Sequence, residues 1–165
     1  MTPMNNPPFI PRWPGGDPIR YCIDASAKPY WAEIRTALDV WGREFAFNSF
    51  VEVFEWWWHR TLVFRVADMG PNNPFLAQSM YPPPLIIEPY AGDVTLNAAV
   101  QWGGAARPLL LPTLIHEIGH ALGMGHFWAT DSVMFPNIAE HTVRLSVDDR
   151  RMFRCLYNGE CIGAK

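Results

Sequence analysis

The densest chemistry in the chain lies in eleven consecutive residues, His116-Glu117-Ile118-Gly119-His120-Ala121-Leu122-Gly123-Met124-Gly125-His126. On a helix, His116 and His120 stand one turn apart on one face, so both imidazoles can reach a single tetrahedral zinc. Glu117 lies beside them, placed to hold water rather than metal. Gly123 lets the chain leave the helix in a conformation other residues resist, and the turn swings His126 in as a third nitrogen ligand. The fourth coordination position stays open. Five fixed positions of these types coincide by chance with a probability on the order of one in 100,000 at average composition, which sets aside the reading as ordinary core histidines. One catalytic Zn2+ and a glutamate base make a site for hydrolysis: the metal polarises a carbonyl, while Glu117 accepts a proton from the attacking water and delivers it to the leaving amine.

The rest of the chain must position that cluster. It has 165 residues, 49% of them apolar, with 13 Lys+Arg against 16 Asp+Glu. That is enough for one domain with its own core, expected over residues 19–165 with an upper part to about 122 and a lower part from 123, and expected to act as a monomer. No Lys/Arg cluster is present, which argues against nucleic-acid binding by phosphate neutralisation. No apolar run approaches the roughly 18 residues that span a bilayer, so no membrane partner is expected. Residues 1–18 carry six prolines and read as an extended lead-in. They lack a signal pattern, and the expectation is that a signal and any pro-segment precede this chain in an extracellular protein. Cys22, Cys155 and Cys161 leave three single pairings open.

Five strand segments are legible: 19–23, 50–54, 61–66, 76–80 and 93–97. Trp31, Ile34, Leu38, Trp41 and Phe45 recur at helical spacing after Pro29 and predict an amphipathic helix. A last helix is capped by Ser146 with Asp149 three residues on, runs through Phe153 and Leu156, and stops at Gly159. Strands first and helices later make an α+β domain. The Trp56-Trp57-Trp58-His59 run and Pro82-Pro83-Pro84 read as core filling and a stiff surface loop rather than a sugar platform or a partner motif. His59 and His141 have no spaced partners and read as surface or hydrogen-bonded core residues.

The helix-and-turn cluster, followed by Asp131-Ser132-Val133-Met134-Phe135-Pro136, resembles the metzincin clan of zinc endopeptidases, in which a Met-turn lies beneath the zinc-binding imidazoles. Within the clan the sequence looks most like the matrixins, on Val133-Met134-Phe135-Pro136, Leu145-Ser146-Val147-Asp148-Asp149 and Cys155-Leu156-Tyr157-Asn158-Gly159. The resemblance implies a twisted, mixed five-stranded sheet with an active-site helix, a backing helix and a C-terminal helix. It implies a structural role for Gly123 and Met134. It also implies a protein or peptide substrate bound as an added strand along Leu76 and Ala77, with Phe135 and Pro136 walling a specificity pocket beside the zinc. Matrixins hold a second zinc with histidines where this chain has Gln78 and Thr95, so one zinc is expected. Asp93 stands where matrixins use a calcium ligand, with few carboxylates around it. Phe127 replaces the small hydroxyl residue usual after the third histidine. Asp148 or Asp149 either caps the last helix or binds a freed amino terminus. Nothing resembles the family's inhibitory cysteine switch. A non-catalytic binding module on the same scaffold, or a zinc hydrolase with a non-peptide substrate, is the alternative, and retention of Glu117 weighs against the binding module.

Overall fold

The β-branched and aromatic segments pair into one sheet. A computed structural model, which describes residues 12–14, 17–45, 50–54, 61–83, 90–104, 106–137 and 143–159, contains β1 (Ile19–Ile23), β2 (Phe50–Glu52), β3 (Thr61–Ala67), β4 (Ala77–Ser79) and β5 (Val94–Asn97). Their order is β2-β1-β3-β5-β4. The first four of these run parallel, and β4 pairs antiparallel with β5 through Ala77↔Leu96, Gln78↔Thr95 and Ser79↔Val94. β3 lies inside the sheet, and its leading residues Thr61 to Phe64 are all buried, as expected of a parallel strand covered on both faces. The Trp56–Trp58 run, His59, Pro84, His141 and Cys161 lie outside the described residues.

Among the described residues the α-helices are α1 (Trp31–Gly42), α2 (Arg107–Ala121) and α3 (Val147–Asn158). α1 buries Ile34, Ala37, Leu38 and Trp41, a stripe at helical spacing. Two residues of the predicted stripe behave differently. Trp31 opens the helix 52% exposed, with the Arg35 guanidinium 4.9 Å from its ring centre. Phe45 is buried but lies past the helix end, against Phe50, Phe153 and Tyr157. A 3-10 turn over Ala25–Tyr30, capped by Asp24, precedes α1 and is not legible from apolar spacing. α2 packs on α1, and the Trp41 indole donates to the Ile115 carbonyl at 2.8 Å. α3 begins in the expected capping box: Ser146 Oγ accepts from Asp149 N–H, the Asp149 carboxylate accepts from Ser146 N–H, and Gly159 ends the helix.

Among the described residues of the lead-in, Arg12 and Trp13 are anchored. Trp13 is 3% exposed; its indole donates to the Ala121 carbonyl at 2.8 Å and its backbone N–H donates to the Tyr157 hydroxyl at 3.3 Å. Arg12 donates to the Leu156 carbonyl at 2.6 Å, and Tyr157 donates to the Leu122 carbonyl at 2.8 Å. These bonds join the start of the chain, the end of α2 and the end of α3. Cys22 is a free buried thiol, and Cys155 is disulfide-bonded.

Candidate metal centre

The last two turns of α2 carry His116, Glu117 and His120 on the face turned toward β4 and the chain after the helix. His116 Nδ1–H donates to the Val133 carbonyl and His120 Nδ1–H to the Met124 carbonyl, both at 2.7 Å. A carbonyl can only accept, so these bonds place the proton on Nδ1 and leave Nε2 as a lone-pair donor. The helix then stops. Gly123 adopts φ +98°, and the Met124 N–H donates back to Gly119 at 2.9 Å. That reversal returns His126 to the other two rings, and the strand-like bond from Phe127 N–H to the Met134 carbonyl, 2.9 Å, lashes it there.

The three Nε2 atoms converge. His120 Nε2 lies 3.1 Å from that of His116 and 3.2 Å from that of His126. Two nitrogens bound to one tetrahedral zinc at 2.0–2.1 Å stand about 3.3 Å apart, so the observed spacing fits that ion. Lone pairs so close repel one another unless a cation lies between them. Burial first, and then the charge of His126, hold the pKa of the His120 imidazole below its ordinary value against the opposing hydrogen bond to Met124, and the lowered pKa favours the neutral, ligand form. The three histidines are the one gathering of three or more such ligand side chains among the described residues.

Beneath the triad lies Met134, fully buried. Its turn is held from α3: Asp149 accepts from the Ser132 hydroxyl at 2.5 Å, from Val133 N–H at 3.0 Å and from Ser146 N–H at 2.8 Å. Asp149 thus caps its helix and fixes the turn whose Val133 carbonyl orients His116. Gly119 lets the methionine approach. A Cβ at Gly119 would overlap the Met134 sulfur and come within 3.0 Å of Trp41. Gly119→Ala is therefore expected to cost about 1–3 kcal/mol through overpacking. Differential scanning calorimetry should show it as a fall of several degrees, and an unchanged melting temperature would mean that Met134 does not need this seat.

Glu117 is 6% exposed. Burial pushes its carboxyl up to about 7, while the Ser79 hydroxyl, donating to Oε2 at 2.6 Å, pulls the other way. Ser79 ends β4, the edge strand that also carries Ala77. Leu76 precedes it, its carbonyl accepting from Asn97 N–H at 3.0 Å, so the inner side of this segment is paired and its outer side lies at the sheet edge. Phe135 and Pro136 follow Met134 and are half-buried. Phe135 meets Trp128 edge-on with ring centres 6.1 Å apart, and Trp128 is 80% exposed.

Asp93 has another environment. Its Oδ2 pairs with the Arg65 guanidinium at 2.6 Å, and its buried Oδ1 has no hydrogen-bond partner among the described residues. Burial raises its carboxyl to about 6, against the attraction of Arg65. Gln78 and Thr95, adjacent in register, line a cavity of about 160 Å³ with these two residues, Met69, Met80 and Tyr90. Among the described residues this place offers one carboxylate, already paired to a guanidinium, far short of the six to eight oxygen ligands that a calcium ion takes.

Sequence reasoning missed Ser79, Ser132 and Trp13. Each acts on a residue brought near by the fold, 38 residues away for Ser79 and Glu117, 108 for Trp13 and Ala121 and 17 for Ser132 and Asp149, although Ser132 also accepts locally from the Met134 N–H.

A family model described as Matrixin matches residues 19–158. The chain is 32% identical over 107 residues to macrophage metalloelastase of Rattus norvegicus, covering 59% of this chain and 22% of that protein. It is 28% identical over 149 residues to stromelysin-2 of Rattus norvegicus, covering 84% of this chain and 30% of the relative. Against interstitial collagenase A of Mus musculus it is 29% identical over 163 residues, covering 93% of this chain and 31% of the relative. It thus spans less than a third of the length of these relatives.

Proposed function

The chain belongs to the matrixin family, and from that premise we propose that it is a zinc-dependent endopeptidase hydrolysing peptide bonds in protein substrates. The observation that carries this reading is the convergence of three imidazole Nε2 atoms, two from α2 and one from the chain just after it, with a buried carboxylate carried on the same helix. A bound zinc supplies Lewis-acid polarisation of the carbonyl and a water acidified to roughly pKa 7. Glu117 does the proton work. With Oε2 held by Ser79, Oε1 is the atom that takes the proton from the attacking water and passes it to the leaving amine. A carboxyl near neutrality is matched to both transfers.

The substrate adds as an extended strand along Leu76 and Ala77, where the outer side of the edge strand offers backbone groups and demands no particular sequence. Phe135 and Pro136 wall the pocket that selects the side chain entering beside the metal. Gly123 and Met134 hold the ligands in place. One zinc per chain is the reading, with Gln78 and Thr95 offering no imidazole and Asp93 committed to Arg65. An extracellular site of action is supported by the disulfide at Cys155, a bond that persists in oxidising compartments. No helix of the described residues is long and apolar enough to cross a membrane.

The test is cleavage of a diverse peptide library read by mass spectrometry, with metal content measured alongside. We expect one zinc per chain, loss of cleavage on chelation and recovery on adding zinc back. Cleavage that survives complete removal of metal would overturn the reading. Two tightly held zincs would overturn the single-site part of it.

A further inference from the structure

We propose that Ser79 is a positioning residue for Glu117, its hydroxyl fixing which carboxylate oxygen is presented to the reacting water. The inference rests on Glu117 acting as the base. Glu117 has three rotatable side-chain bonds, and on α2 it has carboxylate rotamers to choose among. Ser79 has one, and its backbone is pinned in the sheet by pairing with Val94 and by the bond from Met80 N–H to the Asp93 carbonyl, 2.9 Å. Its hydroxyl donates to Oε2 at 2.6 Å, within the range of a charge-assisted O–H···O bond. Among the described residues this hydroxyl is the side-chain donor that reaches the carboxylate. Strand alternation makes the placement specific: Gln78 lines the cavity beside Arg65 and Asp93, and the next residue faces α2.

The feature also joins two parts of the site. β4 is the strand along which a substrate would add, so the residue that orients the base lies on the element that receives the peptide. A base held in one rotamer before substrate arrives keeps its reacting oxygen in line, and misplacement by about an ångström costs up to about 100-fold in rate.

The experiment compares the intact protein with Ser79→Ala, Ser79→Thr, Glu117→Gln and the Ser79→Ala/Glu117→Gln pair. Steady-state kinetics on one cleaved peptide, zinc content and the infrared carboxylate band of the zinc-free protein are read for each. We expect Ser79→Ala to lower kcat by about tenfold, the scale of lost hydrogen bonds behind a metal site. KM and zinc content should hold, and Ser79→Thr should restore most of the rate. The carboxylate band assigned by difference against Glu117→Gln should move in Ser79→Ala and stay in Ser79→Thr. In the Glu117→Gln background, Ser79→Ala should remove nothing further. An unchanged kcat, or a raised KM with kcat intact, would overturn the proposal, since either makes Ser79 a strand residue only. If Ser79→Ala lowers the melting temperature markedly, the threonine variant and the infrared band decide. Full activity in Glu117→Gln would instead overturn the reading of Glu117 as base. An inactive Glu117→Gln beside a fully active Ser79→Ala would overturn this proposal alone.

Discussion

Glu117→Gln is expected to reduce peptide hydrolysis by about 10²–10⁴-fold, the usual contribution of a positioned acid–base group. At 1.36 kcal/mol per tenfold, that is about 3–5 kcal/mol of lost transition-state stabilisation. The substitution isolates the proton transfer because little else changes. Glutamine has the same shape, its Oε1 can still accept the Ser79 hydroxyl, and the three histidines that hold the metal are untouched. Zinc content should therefore stay at the level of the unaltered protein. Folding should not suffer, since an amide is cheaper to bury than a carboxylate. The loss should appear in kcat with KM little altered, because the missing interaction is made in the transition state. Single-turnover kinetics on a peptide cut by the unaltered protein would measure it. A fall smaller than about tenfold with zinc still bound would remove Glu117 from the role of base, given the scale of general catalysis.

Asp149→Ala carries the largest expected loss of stability. The carboxylate is 1% exposed and accepts three bonds from Ser132, Val133 and Ser146. Its removal orphans buried donors in both the helix start and the Met-turn. Losing charge-assisted bonds at about 1.5–3 kcal/mol each, with partial compensation by water, gives a net cost of about 3–5 kcal/mol. For a chain of this size that is a fall of roughly 10 °C in melting temperature. Two further variants separate the mechanisms. Asp148→Ala changes an exposed pair with Arg151 at 3.7 Å and should move stability by no more than about 0.5 kcal/mol. Asp149→Asn keeps one acceptor oxygen for the two backbone N–H groups and should recover part of the loss. If Asp148→Ala proves as costly as Asp149→Ala, the effect belongs to the charge at the helix start and not to the turn. Zinc affinity should also weaken in Asp149→Ala, since the turn it holds supplies the carbonyl that orients His116.

The gathering of three histidines was legible in the sequence because its spacing is local. A spacing of four on a helix and a glycine at the exit bring His116, His120 and His126 near one another, while the turn at Val133 and Met134 orients and holds the rings. The last helix was legible for the same reason, since Ser146, Asp149 and Gly159 satisfy the helix's own ends. The five strands followed from their composition, while their order did not, because β1 lies between β2 and β3 through pairings that no periodicity encodes. Asp149 shows where the boundary falls. Its capping role follows from a spacing of three, but its grip on Ser132 and Val133 requires α3 to dock under the turn. Asp93 shows the reverse. It stands where the family resemblance places a calcium ligand, and in the fold it meets Arg65 from the neighbouring strand, a cation supplied by the chain itself.

The anchoring of Trp13 constrains the order in which the molecule can be assembled. Its indole meets Ala121 at a separation of 108 residues, and Arg12 meets Leu156 at 144. Contacts so remote along the chain are slow to form, because the intervening loop must close first. At synthesis rates of about 5–20 residues per second, roughly 7 to 30 seconds pass between the emergence of Arg12 and that of Leu156. Through that interval the Trp13 backbone N–H lacks its acceptor and the Leu122 carbonyl, just past the helix that bears His116 and His120, lacks its donor, since both partner with the Tyr157 hydroxyl. The nascent chain can build its parallel strands and α2 before α3 exists. The last turn of α2 acquires its full set of bonds only when both ends of the domain have been made.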